Sequence, residues 1–371
     1  MVRLIILSFL VLYPLGAYFY SNLYYKNSNE GLFITLVILS IIFFLIGFNN
    51  KIRYRVDFNF KPNLYVLLLI FSTIWLYDIY SSVDYSFSAD QRLTKESHSG
   101  FINVIKEWFY IFSLATILSR IKTKSVFLIF CILLLFLYPV LLTGQRKLLS
   151  EVVFVLFMMK TELTKLTFKK IVFFVLIGFV GISGIQLITH VRGAEEPLNN
   201  ILSAFNYSDN IFQFLLFSGG EFVIPYSTLI IFLQNQSSYE MLDAWLIPIM
   251  SYIPNFIFSM EYRGLAELFM YNEFPSLARE GRGYAFSAVN SAYWRLGLLG
   301  VVIEFYLLGR IIKFLLHSAI YSASSTSKFM LYAGIFTIGI ETIRGDLLMI
   351  PKIFLMTFLF LIFKLRVFVR N

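Results

Sequence analysis

Apolar runs long enough to cross a bilayer recur from one end of this chain to the other, separated by short polar stretches. A membrane-crossing helix needs about 20 predominantly apolar residues. Such runs lie at 4–24, 31–49, 64–82, 103–119, 125–142 and 169–189, then at 242–260, 288–312, 327–343 and 347–365. The run 148–160 is short and has to be extended or tilted. The run 210–233 is broken by Gly219, Gly220, Glu221 and Pro225, the pattern of a discontinuous or re-entrant helix. The pattern predicts an all-α fold, a polytopic transmembrane bundle of about twelve spans forming one domain over residues 1–371. A large outer loop, 261–287, comes late in it. The first run follows Arg3, as a signal peptide would, but Tyr20-Ser21-Asn22-Leu23 lacks an Ala-x-Ala cleavage pattern. It reads as an uncleaved first helix. No internal repeat is visible at the level of residue identity.

Composition narrows the class further. Of the 371 residues, 58% are hydrophobic and only 14% charged, with a mean hydropathy of +0.75. Soluble domains carry about 45–50% apolar and about 25% charged residues, so too little polar surface is left here to coat a soluble core. Disordered, collagen-like and disulfide-scaffold classes fall away as well. Cys131 is the only cysteine, so no intrachain disulfide is possible.

The net charge is +9, and its placement carries more than its size. Cytoplasmic loops are enriched in Lys and Arg. With the N-terminus inside, most of these residues fall on the inner side, which predicts that both termini are cytoplasmic. Lysine is the commoner of the two inside, and arginine outside. Outward arginines oppose the topology signal. A guanidinium is a planar fork of donors that suits phosphate and carboxylate, so the outer side has the make-up of an anion-binding surface. The simpler reading is loop charge paired with acids such as Asp90, Glu195 and Glu280.

Three outer turns place an arginine at a span's mouth: Thr143-Gly144-Gln145-Arg146, His190-Val191-Arg192-Gly193 leading to Glu195 and Glu196, and Glu341-Thr342-Ile343-Arg344-Gly345-Asp346. Each Arg lies beside or near a Gly that frees the local backbone. A lipid diphosphate sits at this depth, as do the ordinary lipid phosphates toward which long cations snorkel. The loop 261–287 adds Arg263, Glu273, Arg279, Glu280 and the run Gly281-Arg282-Gly283-Tyr284. The next helix is expected to start near Ser287, whose hydroxyl can cap it. Free amides at that start favour an anion. The glycine spacing fits neither a Rossmann nor a P-loop site. Tyr262, Tyr271, Phe274, Tyr284 and Phe286 offer stacking faces for sugar rings, or an interfacial aromatic belt.

Other chemistries find little support. His98, His190 and His317 lie far apart, Cys131 is mid-span, and no Asp-x-Asp is present. No metal site or cofactor is predicted, and no nucleic-acid partner. Asn206-Tyr207-Ser208 and Asn235-Gln236-Ser237 match glycosylation sequons, a motif short enough to recur by chance. Charges inside spans are functional candidates by default. These are Asp78, Lys106, Glu107, Glu221, Arg295 and Glu304, and Arg295 is expected to pair with an acid in the bundle.

The stretch from Gly281-Arg282-Gly283-Tyr284 through Asn290, Tyr293, Gly297 and Gly300 resembles the end of the large periplasmic loop of bacterial O-antigen and capsule repeat-unit polymerases (Wzy type). The turn at Gly144 and Arg146 is similar to a Gly-x-Arg turn of that family, and Arg344-Gly345-Asp346 also looks like it. The hydropathy layout covers most of the chain, while the residue motifs cover only a small part of it. The resemblance implies a metal-independent, inverting glycosyltransferase of the C-type superfamily in the bacterial inner membrane, with its active site facing the periplasm. It would polymerise undecaprenyl-diphosphate-linked oligosaccharide repeat units, taking such lipids as donor and acceptor. A chain-length-regulating co-polymerase is an expected partner. Related O-antigen ligases carry a His-Asn pair where this chain has Val289-Asn290, which favours polymerase over ligase.

On this reading Arg146, Arg192, Arg282 and Arg344 stabilise the leaving diphosphate, with Glu280 and Glu195 ranked first as the base and Glu196 and Glu273 behind them. Arg279, Arg263, Tyr284, Asn290 and Tyr293 are the expected substrate-binding residues. A lipid-linked oligosaccharide flippase or transporter, and an O-antigen ligase, stay open as alternatives.

Overall fold

The computed structural model describes residues 2–16, 30–52, 55–59, 72–76, 151, 154–159, 183, 197–206, 208, 210–211, 214–215, 224–235, 239–250, 264–279, 286–322, 324–345 and 366–370. These are overwhelmingly helical. The helices are α1 (Val2–Leu15), α2 (Glu30–Asn49), α3 (Pro197–Asn206), α4 (Ile224–Gln234), α5 (Asp243–Met250), α6 (Leu265–Glu273), α7 (Pro275–Arg279), α8 (Ala288–Tyr321) and α9 (Ser325–Ile335). A π-helical segment, Phe336–Glu341, continues α9. One departure from an all-α chain is a two-stranded antiparallel ribbon, in which β1 (Arg55–Asn59) pairs with β2 (Arg366–Arg370), Arg55 opposite Arg370. Both strands lie in segments that the Lys and Arg distribution assigns to one side. The runs 103–119 and 125–142 lie outside the described residues.

Among the described residues, α2 is the one helix both long and apolar enough to cross a membrane, with a mean hydropathy of 2.8 over its best window. It has no charge after Glu30 and no proline. The run expected to be a single span at 288–312 is built differently. The 34-residue α8 is two helical pieces joined at Leu296 and Gly297, and Gly297 takes a φ of +60° that other residues rarely adopt. A Cβ at Gly300 would overlap the Ala292 carbonyl, because the second piece folds across the first.

The longer piece of α8 packs on α2 with backbone close to backbone. A Cβ at Gly47 would overlap the Tyr306 carbonyl, and one at Gly309 would overlap the Phe44 carbonyl. The seam is finished by Asn50 Nδ2 donating to the Tyr306 hydroxyl at 2.9 Å and Arg310 donating to the Lys51 carbonyl at 3.2 Å. Leucine at Gly309 is therefore expected to cost about 1–3 kcal/mol, the usual penalty of forcing volume into a filled core. Thermal unfolding of the purified variant checks this; an unchanged midpoint would mean that the two backbones are not in contact.

In the core, Tyr13, Phe33, Phe44, Tyr226, Phe329 and Tyr332 are fully buried. Phe33 meets Tyr226 edge-on with ring centroids 4.8 Å apart, a favoured aromatic geometry. The π-helical segment packs Gly339 against Ile6 and Ile312. Its wider turn carries Thr337, which donates to the buried Glu151 carboxylate at 3.0 Å. Single π-turns are often found at functional positions.

Candidate functional site

The first two turns of α8 hold two of the expected site residues, Asn290 and Tyr293. Ser287 is extended and caps the helix, its hydroxyl accepting from the Asn290 amide at 3.4 Å and donating to Asn290 Oδ1 at 2.7 Å. The cap forms where the sequence places it, because a short hydroxylic side chain satisfies an amide that the helix leaves open. Asn290 is wholly buried, and its Nδ2 makes no hydrogen bond. Turning the amide over would move the unmet atom from nitrogen to oxygen and would not remove it, since Ser287 is its one bonded partner there. A buried polar atom left unmet costs about 1–3 kcal/mol, which makes it a plain candidate for a substrate contact.

One turn further on, Tyr293 is half-buried and meets Phe232 edge-on at 6.5 Å. Trp294 donates from Nε1 to the Glu240 carbonyl at 2.8 Å and packs on Phe232, Tyr239 and Phe286. Arg295 pairs with an acid, as expected, and that acid is Glu304, at 2.6 Å from Nε to Oε1 and 3.2 Å from Nη2 to Oε2. A third bond runs from Nη1 to the Ala244 carbonyl at 3.0 Å, and the guanidinium lies 5.9 Å from the Trp245 ring centre. The fork therefore ties both pieces of α8 to α5 and holds the Ser287–Trp294 segment at a set angle.

Beside this segment, Glu273 ends α6. Its carboxylate accepts from Asn235 Nδ2 at 2.6 Å and from the Tyr239 hydroxyl at 2.5 Å. Burial, reinforced by the Glu273 carboxylate, holds the Tyr239 phenol above its ordinary range, so it stays a donor.

Of the other expected site residues, Arg344 is exposed at the turn after the π-helical segment. Its carbonyl accepts from the Tyr13 hydroxyl at 3.0 Å and its amide donates to the Ile340 carbonyl at 3.2 Å. Arg279 is the last residue of α7. Arg146, Arg192, Arg263, Arg282, Glu195, Glu196, Glu280 and Tyr284 lie outside the described residues. The structure thus brings Asn290 and Tyr293 together on successive turns of α8 and ties Arg344 to α1. Compared with protein-family models, curated proteins and solved structures, the chain has no match.

Reading the sequence missed three members of these clusters. Tyr239 carried no signal, and Asn235 stood out only as part of a sequon. Glu151 carried one that went unused: it is a carboxylate inside the apolar run 148–160.

Proposed function

We propose that the chain is a membrane-integral glycosyltransferase that polymerises lipid-diphosphate-linked oligosaccharide repeat units into O-antigen or capsular polysaccharide. In this reading it crosses the bacterial inner membrane about twelve times, with both termini cytoplasmic and the loop 261–287 facing the periplasm. The observation that carries the reading is the start of α8. A Ser287-capped helix with a buried, unmet amide at Asn290 directly follows the Gly281-Arg282-Gly283-Tyr284 run, which is the stretch that resembles the repeat-unit polymerases.

The chemistry follows from charge. An acceptor hydroxyl attacks C1 of the donor sugar, the C1–O bond to the lipid diphosphate breaks, and the electron pair leaves with the diphosphate. Fixed donors aimed at that growing charge lower the barrier. Arg146, Arg192, Arg282 and Arg344 fill this role, and the amide donors at the start of α8 add to it. No protein-held cation is required by this donor set. A carboxylate takes the acceptor's proton as the new C1–O bond forms.

The test is incubation of the purified chain with lipid-linked repeat units extracted from cells that lack this gene. A ladder of lengthened glycans on the lipid is the expected product. Passage of the units across a vesicle membrane without lengthening would replace the proposal with a flippase. Transfer to a lipid A–core acceptor alone would replace it with a ligase.

A further inference from the structure

We infer that Glu273, Tyr239 and Asn235, flanked by Phe274 and Tyr293, form a saccharide subsite that seats the neutral sugar ring of the lipid-linked acceptor. The choice of a sugar as occupant rests on the proposed function; the site itself rests on geometry. Glu273 sits at the end of α6, and its two oxygens are held by donors from a distant part of the chain, one on each oxygen. A carboxylate oxygen has two acceptor positions. Each oxygen therefore keeps one for a ligand hydroxyl, already oriented before the ligand arrives, so little ordering entropy remains to be lost on binding.

The surroundings suit a carbohydrate. Asn235, Tyr239, Glu273, Phe274 and Tyr293 are all half-buried, neither sealed in the core nor freely solvated. Beneath them lies a tier of buried rings, Phe232, Phe269 and Trp294. Tyr239 stacks on Phe269 with centroids 6.1 Å apart and meets Trp294 edge-on at 4.7 Å, while Phe269 meets Phe274 at 6.3 Å. Sugars present C–H faces that pack on rings and hydroxyls that need planar polar partners, and this patch offers both.

Charge decides which part of the substrate fits. A carboxylate at the centre repels a phosphate, so the diphosphate is excluded from this patch and belongs with the arginines and the start of α8. Tyr293 stands three residues beyond Asn290 on that helix, one turn away. A sugar seated here lies next to the group that would be activated there. A residue that only braced α6 to the segment at 235–239 would leave substrate affinity untouched, and this separates the two roles.

The experiment uses the purified full chain with two probes. One is the lipid-linked units extracted from cells lacking the gene. The other is the free glycan released from those lipids by mild acid, followed by tryptophan fluorescence. Glu273→Gln keeps the shape and one acceptor oxygen but loses the charge. It is expected to raise KM for the lipid-linked units and to weaken free-glycan binding about tenfold or more, in line with loss of a charge-assisted hydrogen bond; a fall in kcat with glycan affinity unchanged would make Glu273 the base and overturn the subsite. Tyr239→Phe, which keeps the ring and removes one donor, is expected to shift both affinities in the same direction by a smaller factor and serves if Glu273→Gln fails to fold. Unchanged KM and unchanged glycan affinity in folded variants overturn the subsite while leaving the polymerase proposal standing. Glycan binding that weakens in Glu273→Gln, in a wild-type chain that lengthens nothing, keeps the subsite and removes the polymerase.

Discussion

Replacing Arg295 by methionine is expected to destabilise the protein by about 3–5 kcal/mol, the cost of leaving one partner of a buried ion pair uncompensated. Side-chain exposure in this pair is 4% for Arg295 and 12% for Glu304. Without the guanidinium, the Glu304 carboxylate and the Ala244 carbonyl each lose a bonded donor. The pair also reports on the shape of α8. In a straight helix, residues nine apart in sequence are about 13.5 Å apart along the axis. Here they bond, so the break at Leu296 and Gly297 and the Arg295–Glu304 fork require one another. Lysine at 295 is expected to recover only part of the loss, because a point charge cannot make the fork. The double change Arg295→Met with Glu304→Leu is expected to be more stable than the single one, since it removes the stranded charge. The midpoint of thermal unfolding in detergent measures all three. A single variant that melts like the wild type would show that the fork does not hold the bend.

If the chain is the polymerase proposed above, replacing Arg344 by alanine is expected to lower the rate of glycan elongation by about 10²–10³-fold, the usual effect of removing one donor from a developing anion. Lysine is expected to fall between the two, keeping the charge and losing the fork. The Tyr13 hydroxyl binds the Arg344 carbonyl rather than its side chain, so the truncation spares that tie to α1, and the melting midpoint measured beside the rate tells lost chemistry from lost folding. On the same proposal a loss of elongation rate is expected at Arg146, Arg192 and Arg282. Elongation by the purified variants and the glycan ladder in cells at matched protein levels provide the measurement. A wild-type ladder from Arg344→Ala would take this residue out of the mechanism.

The parts of the site that were legible in sequence are those set by neighbours along the chain. Ser287 capping its helix follows from a hydroxyl placed just before the helix, a preference decided within one turn. Arg295 needing an acid follows from its position in an apolar run, where an unpaired charge is too costly. Which acid it takes was not legible, because Glu304 reaches it only when α8 bends at Gly297. Glu273 was one of several outer acids without distinction. Its separation from the others comes from Asn235 and Tyr239, 38 and 34 residues away, and no local pattern encodes such a meeting. Glu151 and Thr337 are further apart still.

Composition and hydrophobic run length by themselves pointed to a helical, strongly apolar chain, and the described residues are mostly helical. The glycines at 47 and 309 were visible as residues, but their task of letting α2 and α8 touch backbone to backbone was not. Tertiary structure alone decided that contact, the bend in α8, the ribbon that joins β1 to β2, and the gathering of Glu273, Tyr239 and Asn235 beside the start of α8. Each depends on groups distant in sequence becoming neighbours in space. Close packing selects among such meetings by volume and by whether every buried polar group finds a partner, and neither condition can be evaluated one segment at a time.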